Sequence, residues 1–498
     1  MKELLTALNS DYLLVNCTNE FLVEYSALSE NARYTLTGFS GSTGDALVTK
    51  DNIYLFVDGR YHTQADQEAK EGVAVVKLQL GQKQDEEIAK IIEPHKTLSI
   101  VAKKVSQNRL EGLKSLLKEK YVKIQLLSDD PINNFTEKHD SNYSKVSYEP
   151  KNFIPQKATF VTNLEEVSYL TGLRDFSKDN SSKIWGKLFV DGKNKPMLFT
   201  SQKQVTAFLK SYQGELQVDK SSINAYDYAH INKPAHKDSE IKLLKCVKTN
   251  EEIESYKKAF EATDKAVMGI RKYIENNNDL SEYDIATQLK KEFLKYGAKS
   301  LSFNSIVAIN KNSALAHYSK NSKDTLLKDG DIVLIDCGAY YKDGLATDIT
   351  RVFVKGEPNE LQKTVYTTVL KAFLNAYNSD LKTGFEIDSL AHSILDNKID
   401  GFTFGHGLGH GIGINVHEAP PALNKTEIAH TEIQDNMTFT IEPGLYNPEH
   451  FGVRLENSCY KENSKIKSFV KMGYEGKLIN MNLLTEQEKD WLKEFKIL

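Results

Sequence analysis

Two aspartates stand where an isolated charge would be unfavourable. Asp336 lies in the apolar run 332–337 (IVLIDC), which predicts a buried strand, and an unpaired carboxylate in such a strand would be costly. Asp348 follows across the turn 340–345, so a hairpin would bring the two acids together. Like charges at close range repel unless a cation separates them. The pair therefore indicates either a cation site or two ordinary roles, in a turn and in an ion pair.

Two glutamates further along the chain occur in runs that alternate between apolar and polar residues. In the run 437–442 (MTFTIE), this alternation places Glu442 and the two threonines on the face opposite the apolar residues. In the run 453–456 (VRLE), it places Arg454 and Glu456 on one face. An ion pair on a strand surface is the simple alternative for this second pair.

The segment 405–413 (GHGLGHGIG) combines glycines with histidines. Its five glycines alternate with other residues, which disfavours a helix and would let another backbone approach one face of an extended chain. His406 and His410 would then share the opposite face. With His417, they make three of the chain's twelve histidines within a short stretch. This clustering favours a functional site over separate histidines of the core or surface.

Together these residues predict a dinuclear metal centre. Four carboxylates and one imidazole from the histidine cluster would supply four negative charges, which balance two divalent cations. An oxygen-rich site with one nitrogen suits a relatively hard ion such as Mn²⁺. Two such ions can share a hydroxide, generate it at neutral pH and polarise a carbonyl. The chemistry predicted is peptide hydrolysis without a covalent intermediate.

The elements that must position these residues lie in residues 239–498. A capping box at 249–252 (TNEE) predicts a helix that runs to about residue 276. A second helix is predicted over 281–296, and short strands with Asp-Gly turns follow it. A last capping box at 485–488 (TEQE) predicts a terminal helix. Helices on one side of a mostly antiparallel sheet would make this an α+β domain.

Two α/β domains are expected before it, over residues 1–146 and 147–238. The first alternates strands with helices, and its strands are predicted at 12–15, 46–48, 53–57, 73–77 and 98–102. The second, which is shortened, is predicted to contain a strand at 158–161, a helix at 164–171 and a hairpin of 184–190 with 197–200. The polar stretch 129–151 between them is interpreted as a linker.

Composition excludes several other classes of protein. The 498 residues carry a formal net charge of −4, which gives no basic surface for nucleic acid. We find no run of 18 apolar residues for a membrane span and no signal peptide. The four cysteines form no close pair, so neither a zinc knuckle nor a disulfide framework is expected. These features predict a cytoplasmic protein with reduced thiols.

The motifs also resemble those of a known family. Five of them occur in the order of the ligand motifs of the creatinase-like, or "pita-bread", metallopeptidases, at 334–338 (LIDCG), 347–351 (TDITR), 406–418, 440–444 (TIEPG) and 453–457 (VRLEN). Residues 37–44 and 56–61 look like the N-terminal domain of the three-domain members, the aminopeptidases P. The resemblance implies two creatinase-N-like α/β domains followed by a pita-bread catalytic domain.

The resemblance also implies roles for individual residues. It makes five side chains the metal ligands, with the second and the last bridging: Asp336, Asp348, His410, Glu442 and Glu456. Glu442 would also be the general base for the bridging water. Three histidines match substrate and transition-state residues of the family: His317, His406 and His417. The interval from Asp336 to Asp348 looks one residue longer than in the family, so we expect a bulge in this hairpin.

The activity implied is hydrolysis of the N-terminal Xaa-Pro bond of peptides with proline at the second position. Two divalent metal ions would serve as cofactors, with Mn²⁺ expected and Zn²⁺ or Co²⁺ as alternatives, and the resemblance implies a homodimer. Two alternatives stay open at this point. One is an Xaa-Pro dipeptidase with the same metal centre, and the other is a catalytically inactive pita-bread module that binds peptides or proteins.

Overall fold

A computed structural model describes residues 1–24, 27–79, 81–133 and 143–498. The chain forms two compact units. The first comprises Met1–Asn142, Asn152–Leu170 and Ile184–Glu240. The second comprises Tyr143–Lys151, Thr171–Lys183 and Ile241–Leu498. Within the described ranges, none of the helices combines the length and apolarity needed to span a bilayer.

The N-terminal part of the first unit is a six-stranded mixed sheet with helices. The helices are α1 (Lys2–Ala7), α2 (Ala32–Thr37), α3 (His62–Glu68), α4 (Gln84–Ile91) and α5 (Gln107–Leu116). The strands are β1 (Tyr12–Val15), β2 (Ala46–Val48), β3 (Ile53–Val57), β4 (Val73–Lys77), β5 (Thr97–Val101) and β6 (Lys123–Leu127). Their order in the sheet is β4-β3-β2-β1-β5-β6. Four of the five predicted strands match residue for residue, and the fifth is displaced by one residue.

A five-stranded sheet completes the first unit. The helices of this part of the chain are α6 (Leu164–Thr171), α7 (Gln202–Ser211) and α8 (Ala225–Tyr228). The strands are β7 (Ser144–Lys145), β8 (Thr159–Val161), β9 (Leu173–Arg174), β10 (Lys187–Val190), β11 (Met197–Phe199), β12 (Leu216–Val218) and β13 (Pro234–His236). The sheet order is β11-β10-β8-β12-β13, while β7 and β9 pair with each other in the second unit. The predicted helix and hairpin are confirmed.

The second unit holds the predicted α+β region. Its helices are α9 (Ile241–Cys246), α10 (Asn250–Asn276), α11 (Glu282–Lys295), α12 (Glu360–Tyr377), α13 (Gly384–Leu395) and α14 (Glu486–Leu492). Its strands are β14 (Ser300–Leu301), β15 (Ile306–Ile309), β16 (Ile332–Cys337), β17 (Ala339–Tyr340), β18 (Ile349–Val354), β19 (Gly409–Gly411), β20 (Glu418–Leu423), β21 (Thr438–Ile441), β22 (Gly444–Tyr446), β23 (Gly452–Arg454), β24 (Glu456–Glu462) and β25 (Lys465–Ser468). The capping boxes predicted at Thr249 and Thr485 are both present.

The main sheet of this unit is antiparallel, and it provides the frame for the predicted site. Its order is β15-β16-β18-β24-β21-β19-β20, and β25 also pairs with β24, beyond the residues of β24 that pair with β18. Apolar residues of α12 and α13, including Phe373 and Ile387, share one buried cluster with residues of these strands, including Leu334 and Phe439. The antiparallel sheet and its separate helices confirm the α+β class.

One prediction about the fold is wrong, and others are not fully tested. The bulge predicted between Asp336 and Asp348 is wrong, because the pairing of β16 with β18 continues without a shift as far as the bridge between Tyr340 and Ala346. The turn beyond this bridge contains Gly344, which adopts a φ of 64°, and the greater length of the interval relative to the family stays a prediction. Of the predicted linker, residues 134–142 lie outside the described residues. The division into three domains stays a prediction.

Candidate metal centre

Strand register brings three of the predicted acids together. Asp336 in β16 lies opposite Thr350 in β18, and Thr350 lies opposite Glu456 in β24. Directly opposed residues of antiparallel strands project from the same face, so the two acids flank one threonine. Thr350 Oγ1 donates to Glu456 Oε2 over 2.8 Å. Asp348 precedes Thr350 by two residues and therefore shares this face.

The two other predicted ligands lie in or next to the neighbouring strands β21 and β19. Glu442 follows Ile441, the last residue of β21, which pairs with Asn457 in β24, so Glu442 lies beside Glu456 in register. His410 is in β19, which pairs with β21, and its backbone N–H donates to Thr440 Oγ1 over 3.2 Å. The sheet thus brings together all five side chains that the resemblance implies as ligands.

The alternating glycines permit this approach of backbones, as predicted. A Cβ atom on Gly409 would lie 2.0 Å from Thr440 O, and one on Gly411 would lie 2.5 Å from Glu418 O. Both distances are shorter than any real contact of a side chain. Gly405 differs, since no atom of the described residues lies within 4 Å of its Cβ position. The glycines therefore let β19 pack between its neighbours while His410 points to the acids.

Several carboxylate oxygens in this cluster are buried without a hydrogen-bond donor. Asp348 is 4% exposed and Glu456 is 1% exposed. Among the described residues, no donor reaches Asp336 Oδ1, Asp348 Oδ1 or Glu456 Oε1. Buried polar atoms in folded proteins nearly always have a partner. Three buried anionic oxygens in one place therefore fit ligands of a cation.

The His410 ring adds a nitrogen ligand to these oxygens. Its Nδ1 lies 3.0 Å from Gly411 O, and because a carbonyl only accepts, Nδ1 carries the proton. In the neutral ring, Nε2 then presents a lone pair, and it lies 3.6 Å from Asp348 Oδ2 and 3.5 Å from Glu442 Oε1. Ligand atoms of Asp348, His410 and Glu456 all lie within 4.8 Å of one another. Carboxylate oxygens and one imidazole nitrogen that converge in this way fit a divalent metal.

Burial and mutual repulsion act on the protonation of the same acids. Burial, followed by the charge of Glu456, raises the pKa values of Asp348 and Glu442 well above their usual range. Burial and then the charge of Asp336 raise the pKa of Glu456 to about 8. A cation among these groups would lower all three pKa values and keep the carboxylates ionised at neutral pH. The donor set thus has the chemistry of a cation site.

An arginine borders the cluster. Arg454 Nη2 donates to Asp336 Oδ2 over 2.6 Å, and its Nε donates to Thr350 Oγ1 over 3.2 Å. Arg454 is only 3% exposed, which disfavours the alternative of an ion pair with Glu456 on a strand surface. The ion pair with Asp336 satisfies one carboxylate oxygen and leaves the other, Oδ1, for a cation.

Arg454 also connects the centre to His406 through a residue that the sequence analysis missed. Its Nη1 donates to Tyr446 OH over 2.9 Å, and Tyr446 OH lies 2.8 Å from His406 Nε2. His406 Nδ1 lies 2.8 Å from Gly407 O and therefore donates to it, and in the neutral ring Nε2 accepts from Tyr446 OH. Nothing in the local sequence distinguishes Tyr446, whose position opposite the cluster depends on the pairing of β22 with β23.

The two remaining histidines lie in different segments of the second unit. The His417 ring lies 4.4 Å from the His410 ring and edge-on to it, which places His417 beside the cluster. His317 lies in the loop between β15 and β16. That loop is fixed to β23 by Ser313 Oγ, which accepts from Gly452 N over 2.8 Å.

Comparison with known proteins adds family relationships to this geometry. The model of "Metallopeptidase family M24" matches residues 254–461. The model of the "Creatinase/Prolidase N-terminal domain" matches residues 2–130. The first match contains β16 to β23, all of β24 except its last residue, and all five residues of the cluster.

Individual relatives match between half of the chain and nearly all of it. A probable Xaa-Pro aminopeptidase P of Coprinopsis cinerea is 27% identical, over 99% of this chain and 93% of its own length. An Xaa-Pro dipeptidase of Pyrococcus horikoshii is 34% identical, over 51% of this chain and 73% of its own length. The crystal structure of an X-prolyl aminopeptidase from Caenorhabditis elegans, described as a cytosolic enzyme with a di-nuclear active site, superposes with a TM-score of 0.87. It is 20% identical and covers 97% of this chain and 90% of its own, and this likeness confirms the predicted fold.

Proposed function

The chain belongs to metallopeptidase family M24, and we therefore propose that it removes the N-terminal residue from peptides that carry proline at the second position. The observation that carries this proposal is the cluster of acids beside His410, in which Asp336 Oδ1, Asp348 Oδ1 and Glu456 Oε1 are buried and no donor among the described residues reaches them. The aminopeptidase relative that matches 99% of the chain supports the choice of substrate.

We assign two divalent metal ions to the cluster. Asp336, Asp348, His410, Glu442 and Glu456 would hold them, with Asp348 and Glu456 between the two positions. When bound, such ions supply a water ionised at neutral pH and polarise the carbonyl of the scissile bond. The four carboxylates balance the charge of two divalent ions. The predominance of oxygen ligands favours Mn²⁺, with Zn²⁺ and Co²⁺ as alternatives.

Side chains around this centre would transfer the proton and bind the substrate. Glu442 is the most accessible of the four acids, with 18% of its side chain exposed, and it would accept the proton of the attacking water. The same carboxylic acid would then return this proton to the proline nitrogen as the C–N bond breaks. His317, His406 and His417 would hold the substrate and stabilise the developing oxyanion. Tyr446 keeps His406 in a single tautomer by donating to its Nε2.

An Xaa-Pro dipeptidase is the second candidate, because the same ligands serve both reactions. The dipeptidase relative supports it but matches only 51% of this chain, whereas the aminopeptidase relative matches nearly all of it. An inactive binding module would have no need for the cluster, and all five ligand positions keep a metal-binding residue. The homodimer and the cytoplasmic location stay predictions.

A direct assay separates these candidates. Purified protein loaded with Mn²⁺ is incubated with an Xaa-Pro-Xaa tripeptide, the matching Xaa-Pro dipeptide and a tripeptide with alanine in place of proline. We expect release of the first residue from the proline tripeptide, slower cleavage of the dipeptide and no cleavage of the alanine peptide. Faster cleavage of the dipeptide would establish the dipeptidase. Intact peptides after metal loading would favour the binding module.

A further inference from the structure

One buried carboxylate outside the metal centre accepts four hydrogen bonds. Glu282 is the first residue of α11 and is completely buried. Its Oε1 accepts from Ile309 N over 2.8 Å and from Asn312 Nδ2 over 2.9 Å. Its Oε2 accepts from Tyr318 OH over 2.6 Å and from Ser322 N over 2.8 Å. All four donors belong to residues 309–322, the segment that contains His317.

This loop has little regular structure of its own. Apart from the short 3-10 turn Asn310–Ala314, residues 310–322 form neither helix nor strand. Asn310 and Asn321 adopt left-handed backbone conformations, with φ of 43° and 42°. The path of such a loop depends on side-chain hydrogen bonds, because no ladder of backbone hydrogen bonds fixes it.

The Glu282 carboxylate connects the two sides of the loop around His317. Two donors precede the histidine and two follow it, and one of the latter, Tyr318, is its direct neighbour. Burial and the Glu282 charge raise the pKa of Tyr318, so its hydroxyl keeps the proton that it donates. Hydrogen bonds to a charged acceptor are stronger than those between neutral groups. Glu282 is thus the main side-chain anchor of the loop from the helix side.

We propose that Glu282 is a positioning residue that fixes the loop 309–322 and so holds His317 in place for the substrate. This inference rests on the proposed function, since the role of His317 in binding substrate belongs to that proposal. Glu282 itself acts through the loop and contacts neither substrate nor metal.

The test is Glu282→Gln, which keeps the size of the side chain but turns one oxygen into an NH₂ group. That group faces two donors and can accept from neither. In metal-loaded protein, we expect amide hydrogen exchange across residues 309–322 to rise by about tenfold or more. We also expect kcat/KM for the proline tripeptide to fall by about 10- to 100-fold, with metal content unchanged.

The matched control is Glu292→Gln in the same helix. Glu292 is also buried, and it accepts from Gln288 and Lys295 of α11 itself. We expect this variant to leave the exchange of residues 309–322 and kcat/KM at their wild-type values. Tyr318→Phe removes one donor and keeps the carboxylate, so it should produce smaller changes in the same direction. It replaces Glu282→Gln in every comparison if that variant does not fold.

A double-mutant cycle with His317→Ala separates positioning from a general loss of stability. If Glu282 acts through His317, Glu282→Gln should change kcat/KM by less than about twofold in the His317→Ala background. The same loss in both backgrounds, or unchanged exchange in the loop, would overturn the inference. The exchange measurement needs no substrate. A wild-type protein that cleaves no Xaa-Pro peptide would therefore refute the proposed function, while the exchange data would still decide whether Glu282 fixes the loop.

Discussion

Glu442→Gln is expected to lower kcat for the proline tripeptide by about 10³-fold or more, with the fold unchanged and metal still bound. The amide has nearly the same shape and keeps one oxygen as a possible ligand, but it cannot take a proton from water. Glu442 Oε1 lies 3.5 Å from His410 Nε2, at the more exposed side of the cluster, which suits a group that must serve both metal and substrate.

Initial rates and metal content, measured on the same preparations, check this prediction. Glu449→Gln is the matched control, because it makes the same change at an exposed position of the same unit. That variant should keep the wild-type rate. A Glu442→Gln protein that retains metal and turns over within about tenfold of the wild type would exclude Glu442 as the general base.

Asp348→Asn is expected to abolish metal binding at both positions and, with it, activity. Asp348 is buried and lies close to His410 and Glu456, so its replacement would remove one negative charge and a ligand that the proposed centre shares between two ions. Ions bound to the native state raise its stability, by about 4 kcal/mol when free metal is 1,000 times the Kd. We therefore expect added Mn²⁺ to raise the Tm of the wild type and to leave that of the variant unchanged.

Without metal, the Asp348→Asn variant should be at least as stable as the wild type. Because Asp348 is buried next to other acids, burial and repulsion raise its pKa in the folded protein, and its ionised form opposes folding. Without metal, Asp348→Asn should unfold at the same temperature as the wild type or higher at neutral pH. Asp400→Asn, at an exposed position, is the matched control. A variant at Asp348 whose Tm still rises with Mn²⁺ would show that the ions bind elsewhere.

Strand periodicity was sufficient to predict which side chains share a face of their own strand, whereas the convergence of all five ligands was implied by the family resemblance. In the run 437–442, the alternation places Phe439 in the core and Glu442 at the cluster, as the structure confirms. The glycines of 405–413 likewise predicted the close backbone approach seen at Gly409. Both predictions use only local geometry, which is why they could be made without the fold.

Cross-strand partners were not predictable in the same way. Arg454 shares a face with Glu456 by periodicity, yet its ion pair is with Asp336, more than 100 residues earlier in the chain. That choice depends on the register of three strands, which no local pattern encodes. Glu282 looks in sequence like an ordinary acid at the start of a helix, and its role in a loop appears only when residues 309–322 fold over it.

The bulge predicted between Asp336 and Asp348 shows a related difficulty. An interval that looks long does not by itself say how the chain accommodates its length. A bulge would have interrupted the ladder that aligns Asp336 with Thr350. In the structure this ladder is continuous, and the turn beyond it contains Gly344, which supplies a backbone conformation that other residues rarely adopt.

The most direct test of the central claim is anomalous diffraction from crystals of the protein equilibrated with Mn²⁺. We predict two anomalous peaks a few ångströms apart, enclosed by Asp336, Asp348, His410, Glu442 and Glu456. Crystals that show no peak among these side chains at saturating Mn²⁺, with the carboxylates held by Arg454 and water instead, would contradict the account.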